Sequence, residues 1–199
     1  MSSQIELVNM ALAEVAEVAP LSDINEDSTP ARLVRVHYAA SVREVLREGL
    51  WKAARTSAVL AEITTAPEFG WDKAYQLPND FVRLVSFNEI STDDVTEELF
   101  EIRGDQLLTD ETEAKIVYVR DVTIAEGDIN ALDALLTRAV VLNLAMKLAW
   151  PLQQSRTLQE NLELRFREAV RKAKAADARD EFKPLVNRSA SSRWIGSRF

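Results

Sequence analysis

Four stretches of the chain place apolar residues at helical spacing, and each has recognisable start or stop signals. The first predicted helix begins at a capping box in residues 3–6 and stops at Pro20. The second begins at Thr29, in front of a proline at the first helical position, and runs to about Trp51. These two segments predict one half of a helical bundle.

The other two helices are predicted near the end of the chain. Asp128 is the expected cap of the third, which covers 129–150 and is ended by Pro151. A second capping box at 157–160 opens the fourth. The apolar run at 139–152 contains charged and amide side chains and is too short for a membrane span, so we interpret it as a core helix.

Strand-like alternation is confined to the middle of the chain. Strands are predicted at 81–89, at 98–110 as a hairpin that turns at Gly104 and Asp105, and at 115–122. After a break near Ala54, residues 57–63 are also predicted to be extended.

These elements predict an α+β protein that is mainly α. The expected fold is an up-down helical bundle with a small antiparallel β-meander inserted between helices two and three. The predicted parts are helices one and two (1–66), a connector with the β insertion (67–124), helices three and four (125–181), and a flexible C-terminal arm (182–199).

Composition argues against catalysis. The 199 residues include no cysteine, one histidine (His37) and five glycines. Disulfides, thiolate metal sites and cysteine nucleophiles are therefore excluded, and a glycine-lined phosphate loop is hard to build. No nucleophile elbow or zinc-binding helix motif is present, and no signal peptide is predicted. We expect no enzyme activity, no metal and no cofactor.

Charge is unevenly distributed along the chain. The net charge is −8, but residues 182–199 carry four basic and no acidic side chains. The net charge of the preceding 181 residues is therefore −12. An acidic body argues against wrapping DNA, which requires clustered lysine and arginine. The carboxylates near the hairpin lack the spacing of a calcium loop and are interpreted as solvated turn residues.

Four quoted stretches resemble the tail tubular protein A family, the tail adaptor or head-to-tail connector of short-tailed phages. They are, in order, LVNMALAEVAEVAPLSDINEDS; REGLWKAARTSAVL leading into FGWDKAYQLPNDFVRLV; FEIRGDQLLTDETEAKIVYVRDV; and LDALLTRAVVLNLAMKLAWPLQQSRTLQENLELRFREAVRKA. They span nearly the whole chain, and the segment after about Glu181 matches least.

The resemblance implies a structural virion protein of the phage tail, assembled in the host cytoplasm. Such a subunit forms a twelve-fold ring between the portal protein and the tail nozzle (tail tubular protein B), with tail fibres as a further candidate partner. DNA passes through the ring without specific binding, and no membrane segment is implied.

The resemblance also suggests roles for individual residues. Aromatic and apolar side chains of the connector would pack it against the bundle and fix the angle of the sheet; the alternative is that they only cap an internal core. These residues are Phe69, Trp71, Tyr75 and Leu77. Candidate channel-facing acids are Asp93, Asp94, Glu97, Glu98, Asp110 and Glu111.

The C-terminal arm is a candidate docking segment for the portal or a neighbouring copy. Its candidate contact residues are Arg188, Arg193, Trp194, Arg198 and Phe199. We expect residues 182–199 to order only on a partner, because alone they bury too little apolar surface to offset the ordering entropy.

Two other classes of function stay open. One is a DNA-recognising, ring-forming packaging subunit similar to a small terminase, for which the only basic cluster at helical spacing is Arg165, Arg167, Arg171, Lys172 and Lys174. The other is an enzyme of unknown type. DNA titration at two salt concentrations separates the first alternative from an adaptor.

Overall fold

Four α-helices form the body of the protein, and the third lies at its centre. The computed structural model describes residues 4–15, 18–65, 67–92, 99–124 and 128–180. The helices are α1 (Gln4–Val15), α2 (Thr29–Glu48), α3 (Ala134–Gln153) and α4 (Arg156–Asp180). α3 packs against each of the other three. Residues 139–145 are all buried, as expected when neighbours cover the whole circumference of a helix.

The caps of α3 and α4 differ from the predicted ones. Asp133, not Asp128, caps α3, because its Oδ1 accepts the N–H groups of Leu135 and Leu136 at 2.7 and 2.9 Å. Asp128 instead begins a 3₁₀ turn. In α4 the Ser155 hydroxyl accepts the N–H of Leu158 at 3.3 Å, so the predicted cap at Thr157, two residues later, is wrong. In both cases a second capping residue lies within a few positions of the predicted one.

Pro151 does not end α3. The helix continues to Gln153, and Gln154 then adopts a left-handed conformation (φ 50°) and donates its N–H to the Trp150 carbonyl. A proline in the last turn removes only one backbone hydrogen bond, so the chain tolerates it there.

Polar residues inside α3 attach it to α2. Asn143 Nδ2 donates to the Ser41 carbonyl at 3.0 Å and to Glu44 at 3.1 Å, and Lys147 contacts the same carboxylate at 2.6 Å. Burial alone would raise the pKa of Glu44, but the hydrogen bonds from Lys147 and Asn143 outweigh it and lower that pKa. By length and composition α3 could cross a membrane, yet 56% of its apolar window is buried inside the protein.

The strands form two antiparallel sheets. They are β1 (Arg55–Val59), β2 (Lys73–Gln76), β3 (Phe81–Phe87), β4 (Ile90–Ser91), β5 (Glu101–Arg103), β6 (Gln106–Thr109) and β7 (Lys115–Arg120). The four-stranded sheet has the order β1-β7-β3-β4, and the three-stranded sheet has the order β2-β6-β5.

The prediction of a small β-meander inserted between helices two and three is therefore wrong. Only β3–β4 and β5–β6 pair as neighbours in the chain, whereas β7 pairs with β1 and β3, and β6 pairs with β2. β1, which lies within the range assigned to the first two helices, is an edge strand of the larger sheet. The protein is α+β with four helices and two antiparallel sheets in its described residues.

The four-stranded sheet separates two hydrophobic cores. Along β7, Val117 and Val119 face the core shared with the helices, while Ile116 and Tyr118 face the core between the two sheets. Side chains alternate between the faces of a strand, so a strand buried on both sides is apolar at every position. This arrangement places the three-stranded sheet beyond the four-stranded one, away from the helices.

Candidate interaction site

Two of the four connector residues are buried in the core between the sheets. Tyr75 and Leu77 are 2% and 4% exposed and pack with residues of both sheets. The Tyr75 hydroxyl donates to the Glu111 carbonyl at 3.0 Å. They therefore hold the three-stranded sheet to the four-stranded sheet and do not pack against the helical bundle.

The other two connector residues lie on the outside of the three-stranded sheet. Phe69 is 69% exposed, and the Arg103 guanidinium lies 5.4 Å from the centre of its ring. Trp71 is half-buried and donates from Nε1 to Glu101 at 3.0 Å. Both aromatic residues thus contact β5, at the side of the molecule farthest from the helices.

Backbone geometry brings this loop over the sheet. Gly70 has φ +89°, a left-handed conformation that glycine adopts without steric cost. The Asp72 N–H then donates to Asp110 Oδ1 at 2.9 Å, which fastens the loop to the end of β6. Farther along, the Phe81 N–H donates to the Pro78 carbonyl at 3.0 Å and closes the turn into β3.

We call the set formed by Phe69, Trp71, Glu101 and Arg103, on the outside of the three-stranded sheet, the β5 surface. All three residues of β5 are exposed, and Arg103 pairs with Glu101 at 2.9 Å. Hydrogen bonds from Arg103 and Trp71 lower the pKa of Glu101. Aromatic and arginine side chains are the usual anchors of protein interfaces.

The candidate channel acids that are described have structural contacts. Asp110 accepts the Asp72 N–H, and the Glu111 carbonyl accepts the Tyr75 hydroxyl, while both side chains remain exposed. The other four candidates, Asp93, Asp94, Glu97 and Glu98, lie outside the described residues. The candidate docking residues Arg188, Arg193, Trp194, Arg198 and Phe199 lie outside them as well.

The basic cluster of α4 is largely neutralised by acidic neighbours. Four of its five members form ion pairs: Arg165 with Glu14, Arg167 with Glu163, Lys172 with Glu168 and Lys174 with Glu48. Arg138 of α3 contacts Glu14 as well, at 2.6 Å. A phosphate backbone would have to displace these carboxylates before it could bind the cluster.

His37 is half-buried at an open groove of about 600 Å³ beside Trp150 and Lys147. Within the described ranges, no three His, Cys, Asp or Glu side chains are placed to hold a metal ion. The groove therefore offers apolar and cationic surface but no cluster of ligands.

Sequence reasoning missed two further features. Trp51 is fully buried and donates from Nε1 to the Val45 carbonyl at 2.8 Å; a glycine two positions earlier was a signal for close packing at this point. Asp121 is buried and accepts a hydrogen bond from Arg43 Nε. No local pattern indicates that pair, because its partners are far apart in the chain.

A scan against protein-family models found no match to this chain, and a search of curated proteins found none either.

Proposed function

We propose that this chain is a structural tail adaptor of a short-tailed phage. Copies of it would form a ring, twelve-fold by resemblance, that joins the portal protein to the tail nozzle and leaves a channel for DNA. The proposal starts from the order of the four sequence stretches, which resembles the tail tubular protein A family over nearly the whole chain.

The observation that carries the proposal is the β5 surface. It presents an exposed Phe69 beneath Arg103, and a half-buried Trp71, on a sheet that lies beyond the helical body. An apolar anchor surrounded by charged groups suits contact with another protein. Among the described residues, no three His, Cys, Asp or Glu side chains are placed to hold a metal ion.

Assembly onto the portal tests this proposal. The purified chain, mixed with the portal protein of the same phage, is expected to form rings on the portal that electron microscopy and sedimentation both detect. Replacing Arg188, Arg193 and Arg198 with serine is expected to weaken binding at least about tenfold, because arginine anchors commonly dominate interface energies.

A matched control removes the same charge from the helical body. Arg156, Arg167 and Arg171 lie on α4, and their replacement by serine is expected to leave portal binding within about twofold of the natural chain. A chain that neither self-assembles nor binds the portal would contradict the proposed function.

Duplex DNA is expected to bind weakly or not at all at physiological salt. The first 181 residues are acidic, and four of the five cluster residues on α4 are ion-paired. Fluorescence anisotropy titrations at two salt concentrations measure this. Tight binding that falls steeply with salt would favour the packaging-subunit alternative over the adaptor.

A further inference from the structure

A groove between α3 and α4 combines apolar and cationic side chains. Among its lining residues, Leu142 and Ala169 are buried and Leu135 is 41% exposed, so the groove has an apolar floor and an accessible aliphatic side chain. Arg138 and Arg165 line it from the two helices. Its volume is about 310 Å³. We call it the α3–α4 groove.

The α3–α4 groove carries more positive charge than its carboxylates neutralise. Glu14 of α1 contacts both Arg138 at 2.6 Å and Arg165 at 2.8 Å, while Lys172 pairs with Glu168 at 2.8 Å. Burial alone would raise the pKa of Glu14, but the hydrogen bonds and charges of the two arginines outweigh it and lower that pKa. Each guanidinium has five N–H donors, so a further carboxylate can bind without displacing Glu14.

The hairpin of β3 and β4 presents the complementary chemistry at its tip. Phe87 pairs with Ile90 across a two-residue turn, in which Asn88 and Glu89 have φ 46° and 70°. Glycine is the usual residue at the second position of such a turn, so the backbone of Glu89 is strained. Glu89 is exposed, and Ile90 is 41% exposed. The tip therefore offers a carboxylate beside an accessible aliphatic side chain.

The Glu89 carboxylate has no ion-pair partner among the described residues. Lys115 lies beside the turn, where its carbonyl accepts the Asn88 N–H, but its ammonium pairs with Glu113 at 2.7 Å. Val85 is the last residue of β3 in the core shared with the helices. Asn88 follows three residues later, about 10 Å farther along an extended strand. The hairpin tip thus projects past the helices and is accessible to a partner.

Charge is separated between the sheets and the pair of helices α3 and α4. Residues 56–115, which run from β1 to the start of β7, contain 14 acidic and 4 basic side chains, a net charge of −10. Residues 134–180, which contain α3 and α4, have 5 acidic and 9 basic side chains, a net charge of +4. Complementary surfaces of this kind guide association between molecules. A ring requires such head-to-tail contact, because each copy meets its two neighbours through different surfaces.

We infer that the β3–β4 hairpin tip of one copy docks in the α3–α4 groove of the next copy. Glu89 binds the two arginines, and Ile90 contacts Leu135 and the apolar floor. Within one chain the sheet contacts the helical body through α2 and the 3₁₀ turn that follows it, whereas the groove is bounded by α1, α3 and α4. The contact therefore joins two copies. The inference rests on the proposed ring and identifies the surfaces that connect its subunits.

Cross-linking between two different variants tests the contact, because the chain has no cysteine of its own. Ile90→Cys and Leu135→Cys chains are mixed, assembled on the portal protein and treated with a short bismaleimide. The mixture is expected to give covalent dimers, whereas each variant alone is expected to give none. Ile90→Cys mixed with Val36→Cys is the control, and it is expected to give no dimers because Val36 is exposed on α2, outside the groove.

The possible outcomes separate this contact from the adaptor function. Rings on the portal without covalent dimers in the first mixture would overturn the inference and leave the adaptor function standing. Dimers of Ile90→Cys alone or of Leu135→Cys alone would indicate contact between like surfaces and would also overturn it. A natural chain that forms no rings on the portal would overturn both proposals.

Charge reversal at the hairpin tip provides a second test that needs no cysteine. Glu89→Lys is expected to raise at least about tenfold the concentration of chain at which half of the portals carry a ring, because it places a cation against two arginines. Sedimentation measures this concentration. Glu62→Lys makes the same change of charge beside β2, where it interrupts an exposed pair with Lys73, and is expected to change the concentration less than about twofold.

Both lysine variants are expected to melt at the temperature of the natural chain, since both glutamates are exposed. Equal effects of Glu89→Lys and Glu62→Lys on ring formation would show that only the overall charge matters and would overturn the docking of the hairpin tip.

Discussion

Replacing Trp51 with alanine is expected to lower the free energy of unfolding by about 3–5 kcal/mol, the usual cost of removing a buried aromatic side chain. Trp51 is 1% exposed and is among the largest fully buried side chains of the described residues. It follows the end of α2 and precedes β1, so its ring joins the helical core to the sheet. The substitution also leaves the Val45 carbonyl without its indole donor.

Chemical denaturation followed by circular dichroism measures this loss. Trp150→Ala is the matched control, since Trp150 is 52% exposed at the end of α3. The control is expected to cost less than about 1 kcal/mol, because most of that ring already contacts water. Equal losses in the two variants would show that Trp51 does not have the buried role that its contacts indicate.

Gly49 shows why this packing was hard to see in the sequence. The second helix was predicted to run to about Trp51 and so to include Gly49, but Gly49 lies at the C-cap of α2. A Cβ atom at this position would lie 2.8 Å from the Trp51 ring, so only glycine lets the indole pack against the backbone. Periodicity indicates which residues of a helix face the core, but it does not indicate which side chain from the following segment packs against the helix end.

Local signals were sufficient for the helices. The start of α2 at Thr29 is confirmed, and α4 carries its periodic apolar face as predicted. The caps of α3 and α4 were misplaced because aspartate, serine and threonine recur within a few residues of each other. Such neighbouring candidates have similar local energies, and the tertiary packing of α3 decides between them.

The sheet arrangement depended on contacts that no local pattern specifies. The turn at Gly104 correctly predicted the β5–β6 hairpin. However, Arg55 pairs with Val119, and Ala74 pairs with Leu108. These pairings are set by the burial of whole faces and not by turn chemistry. The one available clue was that 116–119 is apolar on both faces, which is typical of a central strand.

The placement of the four connector residues also depended on long-range contacts that no local pattern specifies. The resemblance suggested that Tyr75 and Leu77 pack the connector against the bundle, with an internal core as the alternative, and neither interpretation showed that this core lies between two sheets. The resemblance also suggested that Phe69 and Trp71 pack against the bundle, and this assignment is wrong. Their contacts with Arg103 and Glu101 depend on a loop that crosses to β5.

Replacing Asp121 with asparagine is expected to lower the free energy of unfolding at pH 7 by about 1–3 kcal/mol, since buried hydrogen-bonding groups lose their charged acceptor. Asp121 is 4% exposed, and its Oδ1 accepts the N–H and the hydroxyl of Thr123 at 2.9 and 2.6 Å. Arg43 donates to the other oxygen. The pair fastens α2 to the end of β7, beside Tyr38. Burial and the negative charge of Asp121 raise the pKa of Tyr38 to about 12.

The loss is expected to depend on pH. Burial alone would raise the pKa of Asp121, but the hydrogen bonds from Thr123 and Arg43 outweigh it and hold that pKa below its usual value of 3.8. A carboxyl group whose pKa is lower in the folded state stabilises the fold above the unfolded-state pKa. That stability disappears as the pH falls through the folded-state pKa.

Unfolding of the natural chain and of Asp121→Asn is therefore compared between pH 7 and about pH 2. The difference in unfolding free energy is expected to be constant down to about pH 5 and to shrink below about pH 4, where Asp121 of the natural chain begins to take up a proton. Asp72→Asn, which changes an exposed carboxylate, is the control and is expected to stay within about 0.5 kcal/mol of the natural chain. A difference for Asp121→Asn that stays constant down to about pH 2 would show that the charge of Asp121 does not stabilise the contact between α2 and β7.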